Sequence, residues 1–160
     1  MYSSVLMLHS WVRWVALVLG VVTTMAALVD RGASSAGAPG ALGAKSAADR
    51  LGLFFMIVLD IQVLLGLLLY VALSPATALA FKDFGAAMRD PALRFWAVEH
   101  AATMLLAAIL THAGRVLARS ARTPGSKRTR QIVCFGLATL AMIARTPWPG
   151  MAVNRPLFRV

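Results

Sequence analysis

Acidic residues and cysteine are scarce in this sequence. Six of its 160 residues are Asp or Glu, charged residues of both signs reach only 14%, and Cys134 is the single cysteine. Soluble domains are usually about a quarter charged, so this composition excludes an ordinary soluble protein. One cysteine also excludes an internal disulfide, and we expect Cys134 to be a small buried hydrophobic residue.

The sequence also lacks the motifs of hydrolytic and nucleotide-binding enzymes. It contains no Gly-rich phosphate-binding loop, and its few Ser and Thr residues have no neighbouring base with an orienting partner. The sequence therefore gives no support to a stand-alone enzyme, and an electron-transfer role, developed below, is favoured over one.

Long apolar stretches dominate what is present. Hydrophobic residues make up 59% of the chain, and a membrane-spanning helix needs roughly 20 mainly apolar residues. Four stretches reach or approach that length, and we predict helices over residues 5–29, 51–73, 94–117 and 131–144. The whole chain, 1–160, is then a single all-α domain: an integral membrane four-helix bundle with antiparallel helices.

The basic residues are distributed unevenly between the two ends of this predicted bundle. The net charge is +10, with nine basic residues in the connections at one end and six at the other: Arg31, Lys45, Arg50, Arg115, Arg119, Arg122, Lys127, Arg128 and Arg130 against Lys82, Arg89, Arg94, Arg145, Arg155 and Arg159. Short loops rich in Lys and Arg stay in the cytoplasm. We therefore expect both termini on the outer, periplasmic side of a bacterial cytoplasmic (inner) membrane. The basic 115–130 loop is expected to contact anionic lipid head groups. It has no interleaved aromatic residues, so nothing in it indicates nucleic-acid binding.

Two histidines fall at the same depth in this arrangement. His9 lies near the outer end of the first helix, and His100 lies about as far below the outer end of the third, which runs in the same direction. Neighbouring axes in a bundle are roughly 8–10 Å apart and diagonal ones about 12–14 Å, which leaves room for one haem iron between two imidazoles. The spacing thus permits a bis-histidine haem b with both residues as metal ligands. The haem is non-covalent, because the sequence has no CxxCH motif.

A simpler interpretation needs no cofactor. Arg13 lies one helical turn below His9, and Glu99 directly precedes His100. An ion pair between Arg13 and Glu99, with both histidines hydrogen-bonded around it, would satisfy all four groups.

Four further polar residues lie in the predicted helices. Asp60 is near mid-membrane, where a carboxylate costs roughly 2.5–3.5 kcal/mol, so it should be protonated or paired. One interpretation groups Asp60, Gln62, Tyr70 and His112 as a proton-relay or quinone site. The other joins Asp60 to His112 or Gln62 by a contact that associates the helices.

His112 also bears on whether there is a second haem. It lies about 18 Å deeper than His100 along the same helix, and only Met25 or Met56 could serve as its partner there. Because Met in an apolar helix is usually packing material, a polar contact is the preferred interpretation of His112.

Four segments resemble a known family. They are HSWVRW at 9–14, QVLLGLLLY at 62–70, FWAVEHAATMLLA at 95–107 and TPWPG at 146–150, and they are similar, in the same order, to small four-helix bacterial membrane proteins labelled cytochrome b. The resemblance covers most of the chain and implies a haem-binding electron-transfer subunit. The matching polar positions are His9, Arg13, Gln62, Tyr70, Glu99 and His100. Members of this family can carry a histidine near the position of Asp60. That histidine is absent here, so the resemblance does not imply a second haem.

Two functional interpretations follow. In the first, a haem b electron carrier receives electrons from a quinol or a protein partner, Arg13 or Arg94 neutralises the haem propionates, and Glu99 orients a neighbour. In the second, the chain is a cofactor-free accessory subunit of a larger respiratory or photosynthetic membrane complex. Both predict other membrane subunits as partners.

Overall fold

The computed structural model of this chain describes residues 1–30, 46–150 and 153, and every regular element in them is helical. Seven α-helices and two π-helical turns follow one another along the chain. They are α1 (Tyr2–Val29), α2 (Ala47–Leu68), a first π turn (Leu69–Leu73), α3 (Pro75–Lys82), α4 (Phe84–Arg89), α5 (Pro91–Arg94), a second π turn (Phe95–Glu99), α6 (His100–Arg119) and α7 (Pro124–Ala144). The all-α prediction is confirmed. The basic residues Arg31, Lys45, Arg155 and Arg159 lie outside the described residues.

All four long helices begin earlier than the apolar pattern predicted, and polar caps extend three of them. Ser46 and Asp49 form a reciprocal capping box, in which each side chain accepts a hydrogen bond from the other's backbone N–H, and α2 therefore begins at Ala47. Asp90 caps α5, which begins the third long helical segment, and Thr123 caps α7. Each cap is followed by a proline at the first helical position. A pattern of apolar residues cannot detect these polar first turns.

Three helical segments are long and apolar enough to cross a membrane: Tyr2–Val29, Ala47–Leu73 and Pro91–Arg119. Three candidate spans indicate a multi-pass membrane protein. α7 is of similar length, but its first turns carry Lys127, Arg128 and Arg130.

These cations bind the ends of the neighbouring helices. Lys127 pairs with Asp49 at the start of α2. Arg128 donates to the carbonyls of Ala27 and Leu28 in the last turn of α1, and Arg130 donates to the Leu117 carbonyl near the end of α6. Carbonyls in a last helical turn have no partner within the helix, so arginine side chains stabilise them. Most of the predicted 115–130 loop is therefore helical, since α6 ends at Arg119 and α7 begins at Pro124, and its cations hold the bundle together.

The four long helices pack in the cyclic order α1, α2, α6, α7, so α1 and α6 lie diagonally opposite each other. Phe135 of α7 is central to this packing and is 1% exposed. Its ring fits because Gly52 and Gly114 have no side chain: a Cβ on Gly52 would lie 2.7 Å from Phe135 Cζ, and one on Gly114 would lie 3.1 Å from Phe135 Cε1. Small residues at such contacts let helices approach closely. Cys134 is buried beside them, as expected.

Candidate functional site

Two adjacent π-helical turns mark the end of the bundle that carries the N-terminus. A π turn bonds each N–H to a carbonyl five residues earlier and often occurs at a functional site. Here the Tyr70 hydroxyl, from the first turn, donates to the Ala97 carbonyl of the second at 2.6 Å. The Tyr70 carbonyl in turn accepts a bond from the Thr77 hydroxyl at 2.8 Å. Each turn thus offers a carbonyl that a side chain from elsewhere satisfies. Apolar periodicity gave no signal for either turn.

A cavity of about 350 Å³ lies below these turns. Its lining is mainly apolar, and the polar side chains in it include His9, Ser10, Arg13, Gln62, Tyr70 and His100. Ligand sites are typically apolar cavities of about this size or larger with a small number of placed polar groups. The sequence-predicted residues His9 and His100 therefore share one cavity.

The two imidazoles approach each other across the bundle. Their ring centroids are 6.4 Å apart and their planes are inclined by 69°. Phe95 and Trp96 also pack on the His100 ring, with centroids at 5.7 and 5.6 Å. The two histidines from diagonal helices thus lie close together, as predicted, and aromatic rings pack on His100.

His100 has a defined tautomer. Its Nδ1 lies 2.8 Å from the Arg145 carbonyl oxygen, and because a carbonyl can only accept, Nδ1 carries the proton. In the neutral ring the lone pair is then on Nε2. Arg145 follows the last residue of α7, where carbonyls are free, and its role was missed from the sequence. The available signal was Pro147, which marks the helix end.

His9 is held against α2. Its Nε2 lies 3.2 Å from the Gln62 side-chain nitrogen. Its Nδ1 is buried, 3.8 Å from the place that a Cβ on Gly66 would take, and has no hydrogen-bond partner among the described residues. Gly66 provides the space for this ring, since a Cβ there would lie 3.2 Å from His9 Cε1. Gln62 and Gly66 are four residues apart and so face His9 together.

Glu99 is bonded differently from the prediction. In the described part of the chain its ion pairs are with Arg94, at 2.9 Å, and with Arg145, at 3.0 Å, and not with Arg13. Arg94 also donates to the Met88 carbonyl. The predicted Arg13–Glu99 pair is wrong because the second π turn directs Glu99 towards the loop end of α7, whereas Arg13 lines the cavity. The Arg13 guanidinium lies 5.2 Å from the ring centroid of Trp14.

The four residues suggested as a proton or quinone site are divided between two places. Gln62 and Tyr70 line the cavity. Asp60 and His112 contact each other elsewhere, between α2 and α6, with 3.5 Å between His112 Nε2 and Asp60 Oδ2. Their side chains are 41% and 50% exposed. Asp60 therefore contacts His112, one of its two predicted partners, while Gln62 belongs to the other group.

A bare metal ion does not fit the described residues, which contain no group of three or more His, Cys, Asp or Glu that could hold one. Two imidazoles suit an ion that brings its other ligands with it, as haem iron does. His9 and His100 are the cavity residues that could supply imidazole ligands to such an iron, and their ring centroids are 6.4 Å apart.

Comparison of the chain with protein-family models, with curated proteins and with solved structures found no match.

Proposed function

We propose that this chain is a haem b-binding membrane electron-transfer protein or subunit, with one haem at the outer end of the bundle. The observation that carries the proposal is the facing pair His9 and His100. Their ring centroids are 6.4 Å apart within a cavity, and the Arg145 carbonyl holds Nδ1 of His100, which leaves the lone pair on its Nε2. The resemblance to four-helix proteins labelled cytochrome b supports the same role.

Each residue of the cavity has a defined part in this proposal. His9 and His100 would hold the iron, and the haem would supply a reversible one-electron couple. The Arg145 carbonyl fixes the ring of His100 through Nδ1, the type of hydrogen bond that orients histidine ligands. Phe95 and Trp96 exclude water from that ring.

The charged residues differ in how well they suit the haem propionates. Arg13 lines the cavity, so its guanidinium is the better candidate for neutralising them. Arg94 is engaged with Glu99 and the Met88 carbonyl. Glu99 in turn joins the second π turn to Arg145, and through it supports the carbonyl that holds His100.

The membrane arrangement is part of the proposal. α7 would be the fourth spanning helix, with Lys127, Arg128 and Arg130 at the cytoplasmic surface. Both termini would then be periplasmic, in a bacterial inner membrane, and the 115–130 loop would meet anionic lipid. Other membrane subunits or a quinone would exchange electrons with the haem.

Absorption spectra of the purified protein, oxidised and dithionite-reduced, test the function. We expect a low-spin haem spectrum with a sharp reduced α-band. His9→Ala and His100→Ala should abolish it, because each removes an iron ligand. His112→Ala is the matched control on the same helix as His100 and should retain it. Undiminished haem in His100→Ala would contradict the proposed site.

A second candidate function is a cofactor-free accessory subunit of a larger membrane complex. The observation in its favour is the Asp60–His112 contact, which is half-exposed on a helix surface where lipid is unfavourable for polar groups. A partner subunit could cover it. Purified protein with a featureless visible spectrum, after growth with ample haem, would favour this candidate over the first.

A further inference from the structure

Gln62 is a buried amide in an otherwise apolar part of α2. It is 6% exposed, and its side-chain nitrogen lies 3.2 Å from His9 Nε2. Its side-chain oxygen is also buried and has no hydrogen-bond partner among the described residues. An amide that uses only one of its two polar atoms in an apolar interior needs an explanation beyond helix packing.

The direction of the hydrogen bond between Gln62 and His9 follows from the atoms. An amide NH₂ can only donate, so His9 Nε2 accepts with its lone pair. The neutral imidazole then carries its proton on Nδ1, the buried nitrogen on the side of Gly66. His9 and His100 consequently share one tautomer, with the lone pair on Nε2 in both.

A metal ligated by His9 through Nε2 needs that same lone pair. We propose that Gln62 occupies the ligand nitrogen of His9 in the cofactor-free protein and releases it when haem binds. This inference rests on the proposed function. It assigns Gln62 one effect on haem binding: its amide competes with the iron for His9 Nε2.

The contact is suited to being given up. The unsatisfied Gln62 oxygen makes this side-chain position less stable than one with both polar atoms bonded. The hydrogen bond itself is a neutral one between two uncharged groups, the weaker kind. Replacing Gln62 by Met keeps the length of the side chain and removes both the donor and the unsatisfied acceptor.

The expected effect is tighter haem binding. Breaking one neutral hydrogen bond lowers an equilibrium constant by roughly 2- to 10-fold, so Gln62→Met should bind haem tighter by about that factor. Gln131→Met is the matched control. Gln131 is also buried and also donates through its side-chain nitrogen, but to Asp49 at the other end of α2. It should leave haem binding unchanged.

Nitrogen NMR of the histidine side chains tests the contact without haem. In cofactor-free wild-type protein, His9 Nε2 should give the signal of an unprotonated, hydrogen-bonded nitrogen. Gln62→Met should shift it towards that of a nitrogen without a hydrogen bond, and Gln131→Met should not. Gln62→Leu serves the same purpose if the Met variant does not fold.

Haemin titration of the same proteins completes the experiment. An unchanged His9 signal in Gln62→Met, or weaker haem binding by that variant than by wild type, would overturn the role of Gln62. Absence of haem binding in wild type and all variants overturns the proposed function instead, and the NMR comparison still decides whether Gln62 holds His9.

Discussion

Replacement of Glu99 by Gln tests how the end of the bundle near the two π turns is held together. The carboxylate accepts from Arg94 at 2.9 Å and from Arg145 at 3.0 Å, and the variant removes its charge while keeping its shape. The loss of stability depends on how exposed the three paired side chains are. The Glu99 side chain is 27% exposed, and those of Arg94 and Arg145 are 42% and 43% exposed.

Loss of one partner from a buried ion pair costs about 3–5 kcal/mol, whereas an exposed pair contributes about 0.2–1 kcal/mol. Two partly exposed pairs fall near the lower range, so we expect Glu99→Gln to cost about 1–2 kcal/mol. For a chain of this size that corresponds to a fall in melting temperature of about 2–8 °C. Haem should be retained, because the bond to His100 comes from the Arg145 main chain.

The assay is thermal melting in detergent, followed by tryptophan fluorescence, together with haem content. Arg89→Ala on the exposed surface of α4 is the control and should melt as wild type does. Failure of Glu99→Gln to fold would show that the carboxylate is effectively buried and would refute the magnitude. Loss of haem at unchanged stability would show that Glu99 acts on the cofactor directly.

Three further predictions concern other parts of the molecule. Gly66→Ala should weaken haem binding, since its Cβ would lie 3.2 Å from His9 Cε1 and displace the ring, whereas Gly125→Ala, with open space around it, should not; haemin titration of the two variants measures the difference. Asp60→Asn should change stability by less than about 1 kcal/mol in thermal melting and leave the haem spectrum intact, because the half-exposed contact lies outside the cavity. A cysteine at Gly85 should react with an impermeant reagent on intact cells, and one at Gly125 should react only after permeabilisation; the reverse pattern would overturn the proposed topology.

Much of the architecture was predictable from the sequence, because the composition and length of an apolar segment strongly limit the secondary structure that it can adopt in a membrane. Apolar stretches of about 20 residues have few alternatives to a helix, since hydrocarbon cannot satisfy backbone groups. The three most apolar stretches are the three candidate spans. The fourth helix was placed too short, because its first turns are basic and apolar periodicity does not register them.

The facing of His9 and His100 was also predictable, because counting residues from the outer end of two helices that run the same way gives their depth. Which atoms they use was not. The Arg145 carbonyl and the Gln62 amide come from α7 and α2, at sequence distances of 45 and 53 residues, and only packing brings them to the histidines.

The partner of Glu99 shows the same division most clearly. By sequence, Glu99 and Arg13 share a depth, and pairing them was reasonable. The second π turn adds a residue to one turn of the helix and so rotates the side chains before His100 relative to those after it. With that rotation Glu99 pairs with Arg94 and Arg145. The π turn itself is held by tertiary contacts such as the hydrogen bond from Tyr70 to the Ala97 carbonyl. The position of a residue along the bundle could therefore be predicted from the sequence. The direction of its side chain around the helix axis depends on the packed structure, because a single extra residue in a turn changes the face on which a side chain lies.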